Sequence, residues 1–109
     1  MDFDTYQKIA KKTALYPKIG KGFVYPALGL AGETGEVLEK IKKIFRDKAG
    51  KVNKENRGEL KKELGDVLWY LAQISTELNL KFSEVAEGNI LKLKSRKIRG
   101  KLQGGGDNR

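Results

Sequence analysis

Four carboxylates stand out by type and spacing. Glu33 and Glu36 lie three residues apart, as do Glu63 and Asp66, and residues at i and i+3 share one face of a helix. If the two helices that carry them pack side by side, four negative charges meet in one small volume and repel unless a cation sits among them. Such an all-oxygen donor set suits Mg²⁺, with Mn²⁺ as the near equivalent. A structural ion-pair network with Lys40, Lys43 or Lys62 is the competing reading, since acidic pairs at this spacing are common on solvated helices. Two features favour the metal. Each pair encloses a glycine, Gly35 or Gly65, and each borders an apolar stripe, which surface decoration explains poorly.

Composition removes most other chemistry. The chain has no cysteine and no histidine, so thiolate catalysis, Ser-His or Cys-His arrangements and the usual zinc ligands are excluded. The Glu-x-x-His elements of di-iron bundles are excluded on the same ground. Hydrolysis would have to rest on carboxylates, lysine, hydroxyls or a metal. The net charge of +9 gathers near the end of the chain, where Lys92, Lys94, Arg96, Lys97, Arg99, Lys101 and Arg109 face only Asp107. A basic arm for nucleic acid, a phosphate-binding wall for a small nucleotide and a plain solvated helix face all fit that charge.

Helical periodicity supplies the elements that must position these residues. Phe3, Tyr6, Ile9, Ala10 and Ala14 predict a first amphipathic helix to about Leu15, ended by Tyr16-Pro17. Lys18 to Tyr25 reads as a loop whose rings, Tyr16, Phe23 and Tyr25, either stack on a base or cover the core edge. Pro26 suits the first turn of a second helix running to about Asp47. Gly29, Gly32 and Gly35 interrupt that helix at a cost of roughly 1 kcal/mol each relative to alanine, which points to a close approach of a neighbouring helix or a ligand. A third helix is predicted from about Asn53 to Asn79, with Leu60, Leu64, Val67, Leu68, Leu71, Ile74 and Leu78 as its apolar stripe. Trp69 reads as core packing. Ser83 is the expected cap of a fourth helix ending near Ile98, with Val85, Ala86, Ile90, Leu91 and Leu93 turned inward. Asn89, Lys92 and Arg96 fall on one face of that helix.

The expected fold is all-α, a four-helix bundle over residues 1–100, completed by association into a homodimer or homotetramer, with residues 101–109 as a flexible glycine-rich tail. The N-terminal Met1-Asp2-Phe3-Asp4 has no signal-peptide character and no segment has the length of a membrane span, so a soluble cytoplasmic protein is expected.

The runs Gly29–Val37 and Lys62–Tyr70, with Glu-x-x-Glu in one and Glu-x-x-Asp in the other, resemble the MazG-like branch of the all-α nucleoside triphosphate pyrophosphohydrolases. Tyr16-Pro17, Tyr25-Pro26, Arg46-Asp47, Asn89 with Lys92 and Arg96, and the terminal Asp107-Asn108-Arg109 extend the resemblance over nearly the whole chain. It implies Mg²⁺-dependent cleavage of a nucleoside triphosphate between the α and β phosphates, giving the monophosphate and pyrophosphate, in the clearing of nucleotide pools. By position it implies that Glu33, Glu36, Glu63 and Asp66 hold metal and serve catalysis, and that Asn89, Lys92 and Arg96 bind the triphosphate. Phe3, Tyr6, Tyr25, Trp69 and Tyr70 are candidates for the base pocket. The competing class is a nucleic-acid-binding helical module built on the basic fourth helix and tail. It leaves the four acids unexplained, since they would repel a phosphate backbone.

Overall fold

The computed structural model describes all 109 residues. Four helices follow in order: α1 (Phe3–Lys11), α2 (Val24–Lys48), α3 (Lys54–Glu77) and α4 (Phe82–Ile98). The α1 helix stops earlier than the proline implies. Thr13 turns its hydroxyl back onto the Ala10 carbonyl at 2.7 Å while accepting the Trp69 indole N–H at 2.9 Å, and a side chain that bonds its own backbone competes with the helix. Asp2 caps α1 through the Thr5 N–H. Pro26 sits in the first turn of α2, where its missing N–H leaves no bond unmade. At the start of α3, Asn53 and Asn56 form a reciprocal cap.

The α2–α3 hairpin is the frame of the molecule. Gly22 lies against Glu77, and Gly29 lies against the Tyr70 ring so closely that a Cβ there would clash with a ring carbon. Seven residues forward from Gly22, just ahead of α2, match seven residues back on α3. The pair is therefore antiparallel, and the same register continues to Lys40, which meets Glu59 at 4.0 Å. The close approach expected at the glycines is thus real at Gly29. It is absent at Gly32, Gly35 and Gly65, which face open space within the protomer.

The α1 helix closes one end. Gln7 donates to Thr76 Oγ1 and the Leu80 carbonyl and accepts from the Phe82 N–H, so one amide ties α1 to the α3–α4 turn. Asp4 accepts from both the N–H and the hydroxyl of Ser83. Ser83 consequently lies inside α4, not at its cap. That cap is Lys81, without a side-chain bond.

Apolar cover is incomplete. Only eight residues are buried, and the accessible area of 8247 Å² exceeds by about 2,000 Å² the roughly 6,000 Å² of a compact protein of this mass. The radius of gyration, 16.7 Å, exceeds the roughly 13 Å expected for this length. Along α3 the stripe is half uncovered at Leu64, Leu71 and Leu78, and on α4 Val85, Ile90, Leu91 and Leu93 are exposed instead of turned into a core. An open apolar groove of about 860 Å³ runs between α1, α3 and α4, lined by Phe3, Tyr6, Leu68, Ala86, Ile90 and Leu91 among others.

Candidate metal and nucleotide site

The helix register decides which acids meet. From the Gly29–Tyr70 contact, one turn along each helix sets Glu33 opposite Asp66, and a further turn sets Glu36 opposite Glu63. One carboxylate oxygen each from Glu33, Glu63 and Asp66 lies within 4.8 Å of the others. Glu33 and Glu63 are half-buried, and Asp66 opens to solvent. Glu36 lies outside this group and is exposed. Its charge still reaches Glu33, whose carboxyl is held above its usual pKa by burial first, then by Asp66, Glu63 and Glu36.

The ion-pair alternative is realised only in part. Lys40 approaches Glu63 at 3.6 Å and Glu59 at 4.0 Å, while Lys43 pairs with Glu39. No lysine or arginine pairs with Glu33 or Asp66. The cluster therefore keeps uncompensated negative charge at its centre, and the donors are carboxylate oxygens suited to a hard divalent cation.

Aromatic residues wall this end of the hairpin. Tyr16 stacks flat on Tyr25 with ring centres 5.4 Å apart, Trp69 stands edge-on to Tyr16, and Tyr70 stands edge-on to Trp69. The Tyr16 hydroxyl donates to Glu77 at 2.6 Å, and burial together with that carboxylate raises its pKa. Tyr16 and Tyr25 are thus fixed to each other at the core edge. Tyr6 and Tyr70 are the rings that sense the acids. Burial and Asp66 raise the Tyr6 phenol, while burial, Tyr25, Glu33 and Asp66 raise that of Tyr70. One helical turn beyond Tyr70, Gln73 is almost wholly enclosed, and neither amide atom has a partner in the chain.

The α4 residues are placed apart from the acids. No hydrogen bond or ion pair links Asn89, Lys92 or Arg96 to the four carboxylates within the protomer. Lys92 and Arg96 are brought together instead by Asp107, whose carboxylate lies 3.2 Å from Lys92 Nζ and 3.4 Å from Arg96 Nη2. Asp107 belongs to the terminal run Asp107-Asn108-Arg109 of the resemblance, which implies no role for it. Its signal was the lone acid among seven cations.

The chain matches the family model of the MazG nucleotide pyrophosphohydrolase domain over residues 26–99. It belongs to the MazG nucleotide pyrophosphohydrolase family. The matched span opens at Pro26 in α2 and closes just after α4, so it contains all four acids and the three α4 residues. The chain is similar to the Gene 37 protein of Mycobacterium phage L5, with 49% identity over 114 residues spanning the whole of both chains. No solved structure matches. Within the matched span, Glu33, Glu63 and Asp66 are the acids whose carboxylate oxygens converge.

Proposed function

We propose that this protein is a divalent-metal-dependent nucleoside triphosphate pyrophosphohydrolase, cleaving between the α and β phosphates to release the monophosphate and pyrophosphate. The observation that carries the reading is the convergence of Glu33, Glu63 and Asp66 within 4.8 Å with no cation on two of them, inside a span that matches a pyrophosphohydrolase family. These three, completed by Glu36 on the next turn, would hold Mg²⁺ or Mn²⁺. When bound, such an ion neutralises phosphate charge and lowers the pKa of a bound water, which supplies a nucleophile to a chain without histidine. Glu33 or Glu36 would accept the proton as water attacks. Lys92 and Arg96 would bind the triphosphate and stabilise the charge that grows on the departing pyrophosphate, with Asn89 beside them on the same face. Clearance of surplus or non-canonical nucleotides is the role this chemistry serves.

The working unit in this reading is a homo-oligomer, a dimer or tetramer. An excess of about 2,000 Å² of accessible surface per protomer is on the scale of an obligate interface. The uncovered leucines of α3 and α4 are its natural content. A second copy would also bring α4 cations toward carboxylates that they do not reach within one protomer.

The test is a panel of ribo- and deoxyribonucleoside triphosphates, incubated with Mg²⁺ or with EDTA and resolved by ion exchange. Monophosphate and pyrophosphate are expected in equal amounts with Mg²⁺ only, and Asp66→Asn should lower kcat by at least about a hundredfold, the scale on which a single charge-stabilising group acts. Turnover that survives EDTA, or an Asp66→Asn variant near the wild-type rate at saturating Mg²⁺, would overturn the assignment.

A further inference from the structure

The end of the chain is folded onto the cations assigned above to the triphosphate. Arg96 is 5% exposed, and its Nη2 donates to the Asp107 carbonyl at 2.7 Å and, at longer range, to the Asp107 carboxylate at 3.4 Å and the Gly106 carbonyl at 3.5 Å. Lys92 takes the same carboxylate oxygen at 3.2 Å. The segment behind these contacts has its own staple. Arg109 donates to the carbonyls of Lys101, Leu102 and Gly106, and its own carbonyl accepts from Arg99. Glycines at positive φ, Gly100, Gly104 and Gly106, permit the tight return.

We propose that this segment is a latch: Asp107 occupies the anion site formed by Lys92 and Arg96, and the phosphates of an arriving triphosphate displace it. The proposal rests on the reading of Lys92 and Arg96 as triphosphate ligands. Two features mark the occupant as replaceable. The first is the orphaned Arg96 Nε, which is buried with no acceptor although a guanidinium presents Nε and Nη2 as one fork to a bidentate anion. Asp107 engages one prong and leaves the other desolvated, whereas a phosphate with three oxygens can take both. The second is exposure. The Asp107 side chain is 80% exposed, so its ion pairs lie near the weak end of the range for such contacts. A triphosphate brings several charges to the place that one carboxylate holds.

The consequence is a site that is closed to weak anions and opened by its own substrate class. Release would free residues 101–109 from Lys92, which is already 40% exposed, and from the buried Arg96. Arg96 would exchange a backbone carbonyl for a charged partner that satisfies both prongs.

The chain has no cysteine, so Asn108→Cys provides a unique attachment point for a nitroxide spin label beside the latch. The full-length labelled protein is titrated in EDTA with inorganic tripolyphosphate, and label mobility is read by electron paramagnetic resonance while binding is measured by calorimetry. Binding should convert a restricted spectrum into a mobile one. Asp107→Asn, which loses the ion pairs but keeps the Arg96 bond to the backbone carbonyl, should be released at lower tripolyphosphate and bind it roughly two- to fivefold more tightly, the scale of a lost competing ion pair. Truncation after Gly100, which removes the label site with the tail, should tighten tripolyphosphate binding over the same range by calorimetry and serves as the second variant. A label that stays restricted at saturating tripolyphosphate, absence of tripolyphosphate binding, or weaker binding by both variants would overturn the latch. Nucleotide turnover by the wild type is scored separately. Mg²⁺-dependent turnover with a tail that never moves would sink the latch alone, and a tail released by tripolyphosphate in a protein that hydrolyses no nucleotide would sink the pyrophosphohydrolase reading alone.

Discussion

Glu33→Gln separates a metal centre from an ion-pair network by the sign of its effect. In the metal-free protein Glu33 faces Glu63 and Asp66 with carboxylate oxygens within 4.8 Å, and no lysine or arginine pairs with it. At that separation each repulsion is about 0.9 kcal/mol in the water limit, so about 1.7 kcal/mol for the two, falling to about 1 kcal/mol once screened by 0.15 M salt. Glutamine keeps the shape and the helix propensity of glutamate while removing the charge. The variant should therefore melt about 5 °C higher than wild type in EDTA. With Mg²⁺ at about a hundred times its dissociation constant, wild type should gain about 2.7 kcal/mol and the variant far less, so their order of stability reverses. The pH dependence carries the same sign. The folded pKa of Glu33 lies above its ordinary 4.5, so the folded state binds the proton more tightly and wild-type stability is lost as pH rises through that raised value. The advantage of Glu33→Gln in EDTA should be full above the raised pKa and vanish below about pH 4.5. Differential scanning fluorimetry across pH, with EDTA and with Mg²⁺, measures all of this. A variant less stable than wild type in EDTA, or one with an undiminished Mg²⁺ shift, would refute the reasoning.

Two packing predictions follow. Gly29→Ala sets a Cβ against the Tyr70 ring; overpacking of about 1–3 kcal/mol outweighs about 1 kcal/mol of gained helix propensity, and a lower melting temperature by calorimetry is the expected result. Gln7→Ala strips the Phe82 N–H of its acceptor at the α3–α4 turn and should cost about 1–3 kcal/mol in urea unfolding, with faster amide exchange at Phe82 as the local sign.

How much of this was legible in the sequence depends on whether a feature is local. The α3 start at Asn53 and the place of Pro26 in α2 follow from local capping and the missing proline N–H, and both appear as read. The Glu33–Asp66 approach needed only i, i+3 spacing and an antiparallel pair. What local pattern could not show was which partner a side chain would choose. Thr13 ends α1 because the indole of Trp69, 56 residues away, binds it, and Ser83 enters α4 because Asp4 takes both of its donors. Neither partner is near in sequence. The glycines fail in the same way. Gly29, Gly32 and Gly35 look alike in the chain, yet only Gly29 meets a ring. The inward faces assigned to α3 and α4 were apolar as read, but the protomer lacks enough elements to cover them.

The charge pattern gains meaning from the same geometry. A chain of +9 that bound a nucleic-acid backbone would present its cations as a continuous solvated face. Here Arg96 is buried, Lys92 and Arg96 share one aspartate, and Arg99 and Arg109 are spent on backbone carbonyls of the tail. Lys92 and Arg96 are thus organised around a single anion-sized position, while Lys94, Lys97, Arg99 and Lys101 stay exposed. Opposite in sign, the α2–α3 acids form an equally small centre that one divalent ion would fill. A ligand that engages both would carry concentrated negative charge and a metal together, as the metal-bound triphosphate of the proposed function does.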